Sequence, residues 1–287
     1  MPSIDPAIDP EVDAAYTARA VISPEHFARL MARYRDESAA AVAGLGGTPG
    51  VAYDEAGGEL LDVWGTGDRP RPVFVFLHGG YWRALSRHDS AFMARALDAY
   101  GIATVVPDYT LAPTATLEEI VRQVRAAIAW VYHEGAAHGL DPGHIVVGGS
   151  SAGGHLAAMT MVDGWQADHG LPGDVVAGGF PISGLFDIRP LVHTHVNDWL
   201  HLDEPRAAAL SPFLLASATD RRCPAVVSVA AREAPGFHEH SRIFHSLWEG
   251  DSEPFVVPDR NHFDVVLDLG DPDTPLSRAL RGLFPAT

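Results

Sequence analysis

Cysteine occurs once among the 287 residues, at Cys223, so no intrachain disulfide can form and nothing points to an oxidising compartment. Basic residues are scarce beside acidic ones: 20 Lys and Arg stand against 37 Asp and Glu, a formal net charge of −17. That balance argues against nucleic acid and anionic membrane surfaces as partners, since both require cationic side chains to neutralise phosphate. No apolar run approaches the roughly 18 residues of a membrane span. The opening Met-Pro-Ser-Ile-Asp-Pro has neither the basic region nor the apolar core of a secretory signal, so the expected location is cytoplasmic. Internal repeats and low-complexity tracts are lacking as well.

What is present is an ordinary globular composition, 47% hydrophobic, enough for one large α/β domain. Residues 1–50 read as an N-terminal arm and helices. Residues 51–287 read as the catalytic domain, with an insertion expected at about 185–218.

The most informative stretch is His144-Ile-Val-Val-Gly-Gly-Ser-Ser-Ala-Gly-Gly-His-Leu-Ala-Ala158. It holds a G-x-S-x-G motif, Gly149 to Gly153, between a short apolar run and a series of small helix formers. A strand entering a sharp turn that opens a helix is the context in which such a motif presents a strained, exposed hydroxyl, here that of Ser151. A phosphate-binding loop is the competing reading, but the segment has no P-loop Lys and its glycines miss the G-x-G-x-x-G spacing.

Around this stretch the chain alternates strands and helices. Residues 1–10 suggest an extended arm. Glu11 to Ala41 is largely helical with a new start at Ser23-Pro24, and Gly44 to Gly50 breaks the chain. Strands are expected at Glu59–Trp64, Val73–Leu77, Ala103–Val106, His144–Val147, Val175–Ile182, Ala225–Ala230 and Pro254–Pro258. Helices are expected at Asp89–Tyr100, Thr116–His133, Gly154–Met161 and Glu239–Trp248. Leu185 to Ala218 fits no regular pattern. This order predicts an α/β-hydrolase fold, a mostly parallel central sheet with helices on both faces.

A serine hydroxyl needs a base, and the base needs an orienting acid. In this fold the chain order is Ser, acid, His, with the acid after a late strand and the His after the last one. His262 occupies the latter place. Glu233 is the carboxylate nearest the end of the Ala225–Ala230 strand, with Asp264 or Asp259 as fallbacks should Glu233 instead pair with Arg232. The amide of Ala152 and those of Gly79 and Gly80 stand where an oxyanion would be held. Tyr81, Trp82 and Phe237 are candidate aromatic contacts for substrate; packing beneath the loop is the other reading of Tyr81 and Trp82. Two His-x-His pairs, His193/His195 and His238/His240, lack acidic or Cys partners at a metal-site spacing, so no metal is expected.

Taken together, His78-Gly79-Gly80-Tyr81-Trp82, Asp108-Tyr109-Thr-Leu-Ala-Pro113, Gly149 to Gly154 and Asn261-His262-Phe263-Asp264 resemble the α/β-hydrolase type of kynurenine formamidase and its bacterial relatives. Tyr16-Thr-Ala-Arg19, Ser183-Gly184-Leu-Phe-Asp187 and Ala209-Leu-Ser211-Pro212 add to the likeness, which spans about Tyr16 to Leu269. The resemblance implies cofactor-free hydrolysis of the N-formyl group of an aryl amine such as N-formyl-kynurenine. It carries Ser151 as nucleophile, His262 as base, Glu233 as acid, and Gly79, Gly80 and Ala152 at the oxyanion. Two positions depart from the family pattern: Ser150 stands where His is frequent, and the acid is Glu rather than Asp. A carboxylesterase acting on small acyl or aryl esters is the alternative, because one acyl-enzyme chemistry serves both. A non-catalytic protein on this scaffold would show a missing triad member, and none is missing. The expected partner is a small-molecule aryl formamide or ester; a homodimer is left open.

Overall fold

In the computed structural model, which describes residues 8–54 and 57–285, the apolar runs of the chain assemble into an eight-stranded sheet. Its strands are β1 (Gly47–Asp54), β2 (Glu59–Trp64), β3 (Arg71–Leu77), β4 (Ala103–Pro107), β5 (Leu140–Ser150), β6 (Val176–Ile182), β7 (Ser228–Arg232) and β8 (Phe255–Asn261). They lie in the order β1-β2-β4-β3-β5-β6-β7-β8. β1 and β2 pair antiparallel, as do β2 and β4, and every later pairing is parallel. The sheet thus has the arrangement expected of an α/β-hydrolase.

Burial of both faces explains the continuous apolar run of β3. Val73, Val75 and Leu77 point into one core, shared with α4 (Leu117–Glu134), α5 (Ala152–Met161) and α9 (Pro235–Glu249). Phe74 and Phe76 point into the other, shared with α2 (Pro24–Val42), α3 (Ala94–Asp98) and α10 (Pro275–Arg281). Side chains alternate across a strand, so one apolar run serves two layers. The helix starts are encoded locally. Ser23 caps α2 by accepting from His26 N at 3.2 Å, with Pro24 in the first turn. Thr116 caps α4 by accepting from Glu119 N at 3.3 Å, with Glu118 and Glu119 near the positive end of the helix.

Several boundaries differ from expectation. The arm assigned to residues 1–10 lies mostly outside the described residues, and α1 (Pro10–Ala15) already starts at Pro10, capped by Asp9. Gly44 to Gly50 does not simply break the chain, because Gly47 to Gly50 open β1. That strand sits at the sheet edge and is irregular between Thr48 and Val51, where Pro49 is tolerated. The helix expected over Asp89–Tyr100 shortens to a 3-10 turn at Arg87–Asp89 and the five residues of α3.

Later in the chain, Ala225 makes only an isolated bridge to Gly179 before β7 begins at Ser228. The segment 185–218 folds as a 3-10 turn at Arg189–His193 followed by α6 (Asn197–Leu200), α7 (Glu204–Ala209) and α8 (Pro212–Ala216). Leu185, Phe186, Ile188 and Leu191 are fully buried, so much of this segment packs into the main core. Among the described residues, no helix is long and apolar enough to cross a membrane.

Candidate active site

The turn between β5 and α5 holds Ser151 at φ 58°, ψ −119°, a backbone conformation that a side-chain-bearing residue adopts only under constraint. The constraint comes from its neighbours. A methyl group added at Gly153 would lie 1.9 Å from Leu77 O, and one at Gly149 would lie 2.3 Å from Gly153 O. Only bare backbone lets the helix start so close to the end of β3. The Ser151 amide donates to Ile182 O at 2.9 Å, which ties the turn to β6.

From the loop after β8, His262 reaches the same end of the sheet. Its Nδ1 lies 2.8 Å from Glu233 Oε2, with both side chains buried. A carboxylate only accepts, so Nδ1 carries the hydrogen and Nε2 presents its lone pair. Glu233 is itself fixed in the tight turn after β7, where its Oε1 accepts from Ala230 N at 2.8 Å and from the Ser183 hydroxyl. Ser183, part of the family likeness, has no role in the sequence reading, although its place at the end of β6, beside the elbow, was the available signal.

The fallback acids have other roles. Asp264 accepts from Asn261 N at 2.6 Å and from Asn261 Nδ2 at 2.7 Å, which closes the loop around His262. Asp259 pairs with Arg232 at 2.7 Å on the surface, so Arg232 is engaged away from Glu233. The loop is also held by Tyr34 of α2, whose hydroxyl donates to Phe263 O at 2.6 Å.

The His78-Gly79-Gly80 segment runs alongside the elbow. A methyl group added at Gly79 would lie 2.8 Å from Ser150 O and 3.4 Å from Ser151 Cβ. Gly79, Gly80 and Ser151 therefore border one space, with Ala152 next in the chain. His78 is stacked on Tyr109 with ring centroids 4.1 Å apart, and its Nδ1 donates to Gly79 O at 3.0 Å. Burial holds its imidazole below the usual range, hence neutral, and leaves Nε2 without a protein partner. Behind this loop Arg87 bridges Asp62, at 3.0 Å, and Asp108.

Ser151 and His262 open on a cavity of about 490 Å³, a volume typical of small-molecule sites. No hydrogen bond joins them among the described residues, and such contacts commonly tighten only as substrate seats. Tyr81 lines the cavity. Trp82 and Phe237 are corrections: both are fully buried outside the lining. Trp82 meets His155 edge-on at 5.1 Å, while Phe237 packs against the back of the His262 ring at 4.3 Å. Tyr81 and Trp82 both have positive φ, 49° and 58°, so consecutive side chains diverge, one to the cavity and one to the core.

Much of the remaining wall comes from the N-terminal segment, through Thr17, Arg19, Phe27, Met31 and Tyr34. The helical spacing of Phe27, Leu30, Met31 and Tyr34 announced an apolar face but not what it would cover. This roof is bonded to distant parts of the chain. Asp13 accepts from His195 N at 2.7 Å and from His195 Nδ1 at 2.5 Å. Burial alone would raise the Asp13 carboxyl, and these bonds more than offset it, so its pKa lies below the usual value.

Phe186 N donates to His240 Nδ1 at 3.1 Å, so Nε2 carries the hydrogen that meets Tyr16 Oη at 2.9 Å. His195 and His240, members of the two His-x-His pairs, thus have these protein partners. Among the described residues, no group of three or more His, Cys, Asp or Glu is gathered as a ligand set.

Comparison with known proteins agrees with this geometry. Residues 62–175 match the BD-FAE family. The kynurenine formamidase of Salmo salar is 33% identical, over 80% of this chain and 79% of its own. That of Danio rerio is 31% identical with the same coverage. A crystal structure of a Silicibacter protein, provisionally described as a thioesterase, superposes with a TM-score of 0.79 at 29% identity, covering 93% of this chain and 98% of the other. An eight-stranded α/β-hydrolase sheet, a serine elbow and a relative one-third identical across most of both chains converge on one assignment: this chain belongs to the kynurenine formamidase family of α/β-hydrolases.

Proposed function

We propose that the protein hydrolyses the N-formyl amide of N-formyl-kynurenine or a similar N-acyl aryl amine through an acyl-enzyme. The observation that carries this reading is the buried line from Glu233 to His262, directed at the cavity that Ser151 opens on. With Nδ1–H bound to the carboxylate, Nε2 is free to take the Ser151 proton as Oγ attacks the formyl carbon. Negative charge then develops on the former carbonyl oxygen, where the amides of Ala152 and of Gly79 or Gly80 supply donors. His262 returns the proton to the departing amine nitrogen, which leaves as the free amine. Water, deprotonated by the same imidazole, splits the formyl ester into formate and free serine.

A carboxylesterase activity on small acyl or aryl esters is the second reading. It is favoured by the likeness to the Silicibacter protein described as a thioesterase, since the steps are the same with an oxygen or sulfur leaving group. The test is kcat/KM on N-formyl-kynurenine and on p-nitrophenyl acetate side by side, with Ser151→Ala as control. A formamide value of about 10⁴ M⁻¹s⁻¹ or more is expected, with a loss on the order of 10⁶ in kcat for Ser151→Ala. Ester turnover with little deformylation would move the function to the second reading. A loss of less than about tenfold in the variant would remove Ser151 from the mechanism.

A further inference from the structure

The cavity carries a charge that the chemistry at Ser151 does not use. All 20 cationic side chains of this chain are arginines, set against 37 carboxylates, and more than half of them form ion pairs with nearby acids. Arg19 and Arg83, the two arginines in the cavity wall, do not. Among the described residues neither guanidinium makes a hydrogen bond or ion pair. Each guanidinium lies over an aromatic ring instead, Arg19 at 4.1 Å from the centroid of Phe27 and Arg83 at 4.2 Å from that of Trp199. Stacking of this kind holds the flat guanidinium in place and leaves the donors around its edge open to an acceptor.

Position gives these donors a direction. Ser151 and His262 are 6% and 3% exposed, whereas both arginines are exposed, so the cavity runs from a buried hydrolytic end to a cationic mouth. Aromatic rings connect the two. Phe27 meets Phe263 edge-on at 5.0 Å, and Phe263 meets the His262 ring at 5.1 Å. Trp199 in turn lies 6.4 Å from Tyr81, which follows Gly80. The carboxylate in the lining, Asp89, is buried and engaged by Ser86 Oγ at 2.8 Å and by Arg35 at 3.5 Å. In a chain of net charge −17, two unneutralised cations on one cavity rim are suited to an anion brought by the ligand.

We propose that Arg19 and Arg83 form an anion subsite that selects substrates bearing an ionised carboxylate at the end remote from the scissile formamide or ester, with a flat aryl group between. The assignment of substrate class rests on the hydrolytic reading above; the binding of the carboxylate is separable from it.

The test compares two substrates of one shape, a phenyl acetate carrying a propanoate arm and the same ester carrying a propanamide arm. The wild-type protein is expected to favour the acid by about tenfold or more in kcat/KM, mainly through KM, and added salt should erode the preference. The double variant Arg19→Gln/Arg83→Gln should abolish it, and Arg83→Glu should reverse it toward the amide. A wild-type ratio within about twofold of unity, or an undiminished ratio in the double variant, would overturn the proposal. Calorimetric titration of 3-phenylpropanoate against 3-phenylpropanamide asks the same question without turnover. If neither ester were cleaved but the acid still bound more tightly through the two arginines, the ester reading would fail and the subsite would stand; equal binding of acid and amide would remove the subsite.

Discussion

Replacing Glu233 by Gln tests the acid in the proposed mechanism while preserving the shape of the turn. The Gln carbonyl can still accept from Ala230 N and the Ser183 hydroxyl, the two bonds now made by Oε1. What changes is the other end, where an NH₂ group would face the Nδ1–H of His262 across 2.8 Å. Two donors cannot share that contact, so the imidazole moves its hydrogen to Nε2 and loses the lone pair that must accept the serine proton. Both side chains are buried, His262 at 3% exposure and Glu233 at 0%, so water cannot stand in for the carboxylate. Losing a charge-assisted hydrogen bond costs about 1.5–3 kcal/mol, and the wrong tautomer and the uncompensated imidazolium add to it. The expected fall in kcat is about 10³–10⁴, toward the loss typical of a triad that keeps its geometry but loses its charge. Steady-state kinetics with a thermal melt is the assay, and the melting temperature should move by only a few degrees. A kcat within about tenfold of wild type would refute the reasoning, as would an equal fall for Asp264→Asn, whose carboxylate only closes the Asn261 loop.

Acid should destabilise the fold through two buried histidines. Burial lowers His155 and His240 to about 4, whereas in the unfolded chain they titrate near about 6.5. Between these values the unfolded state binds more protons, so stability falls as pH drops from about 6.5 to about 4, by roughly 3 kcal/mol for each group. Urea melts at pH 7 and pH 4.5 should differ accordingly, and His240→Gln should remove about half of the difference; coincident wild-type midpoints would contradict it. Tyr34→Phe removes the donor to Phe263 O and should cost about 1–3 kcal/mol, read by calorimetry. Gly153→Ala forces a methyl group to 1.9 Å from Leu77 O. It should lower kcat more than about a hundredfold by displacing Ser151; near-normal turnover would show that the elbow tolerates a side chain there.

The elbow, the central strands and the carboxylate that meets His262 were legible because each is specified locally. Glycines that admit a close backbone approach, four or five apolar residues in a row, and the first acid beyond a late strand are all visible in a short window of sequence. The substrate wall was not legible in this way. Tyr81, Trp82 and Phe237 are alike as sequence, and only the backbone turn at Tyr81 and Trp82 and the docking of α9 decide that one faces the cavity and two face the interior. The same holds for Arg19 and Phe27, which reach the cavity from a segment whose own pattern announces only a helix with an apolar face. β1 was obscured because an edge strand tolerates the Gly and Pro that argue against a strand elsewhere.

The bonds of the N-terminal roof are long in sequence: Asp13 to His195, Tyr16 to His240 and Tyr34 to Phe263, separations of 182, 224 and 229 positions. Synthesis delivers the roof first and its anchoring partners late. The hydrophobic stripe of α2 must therefore wait, without its final neighbours, until the segment carrying β8 has emerged. A chaperone that holds the early helices would thus act on the completion of the cavity while leaving the sheet to form on its own schedule.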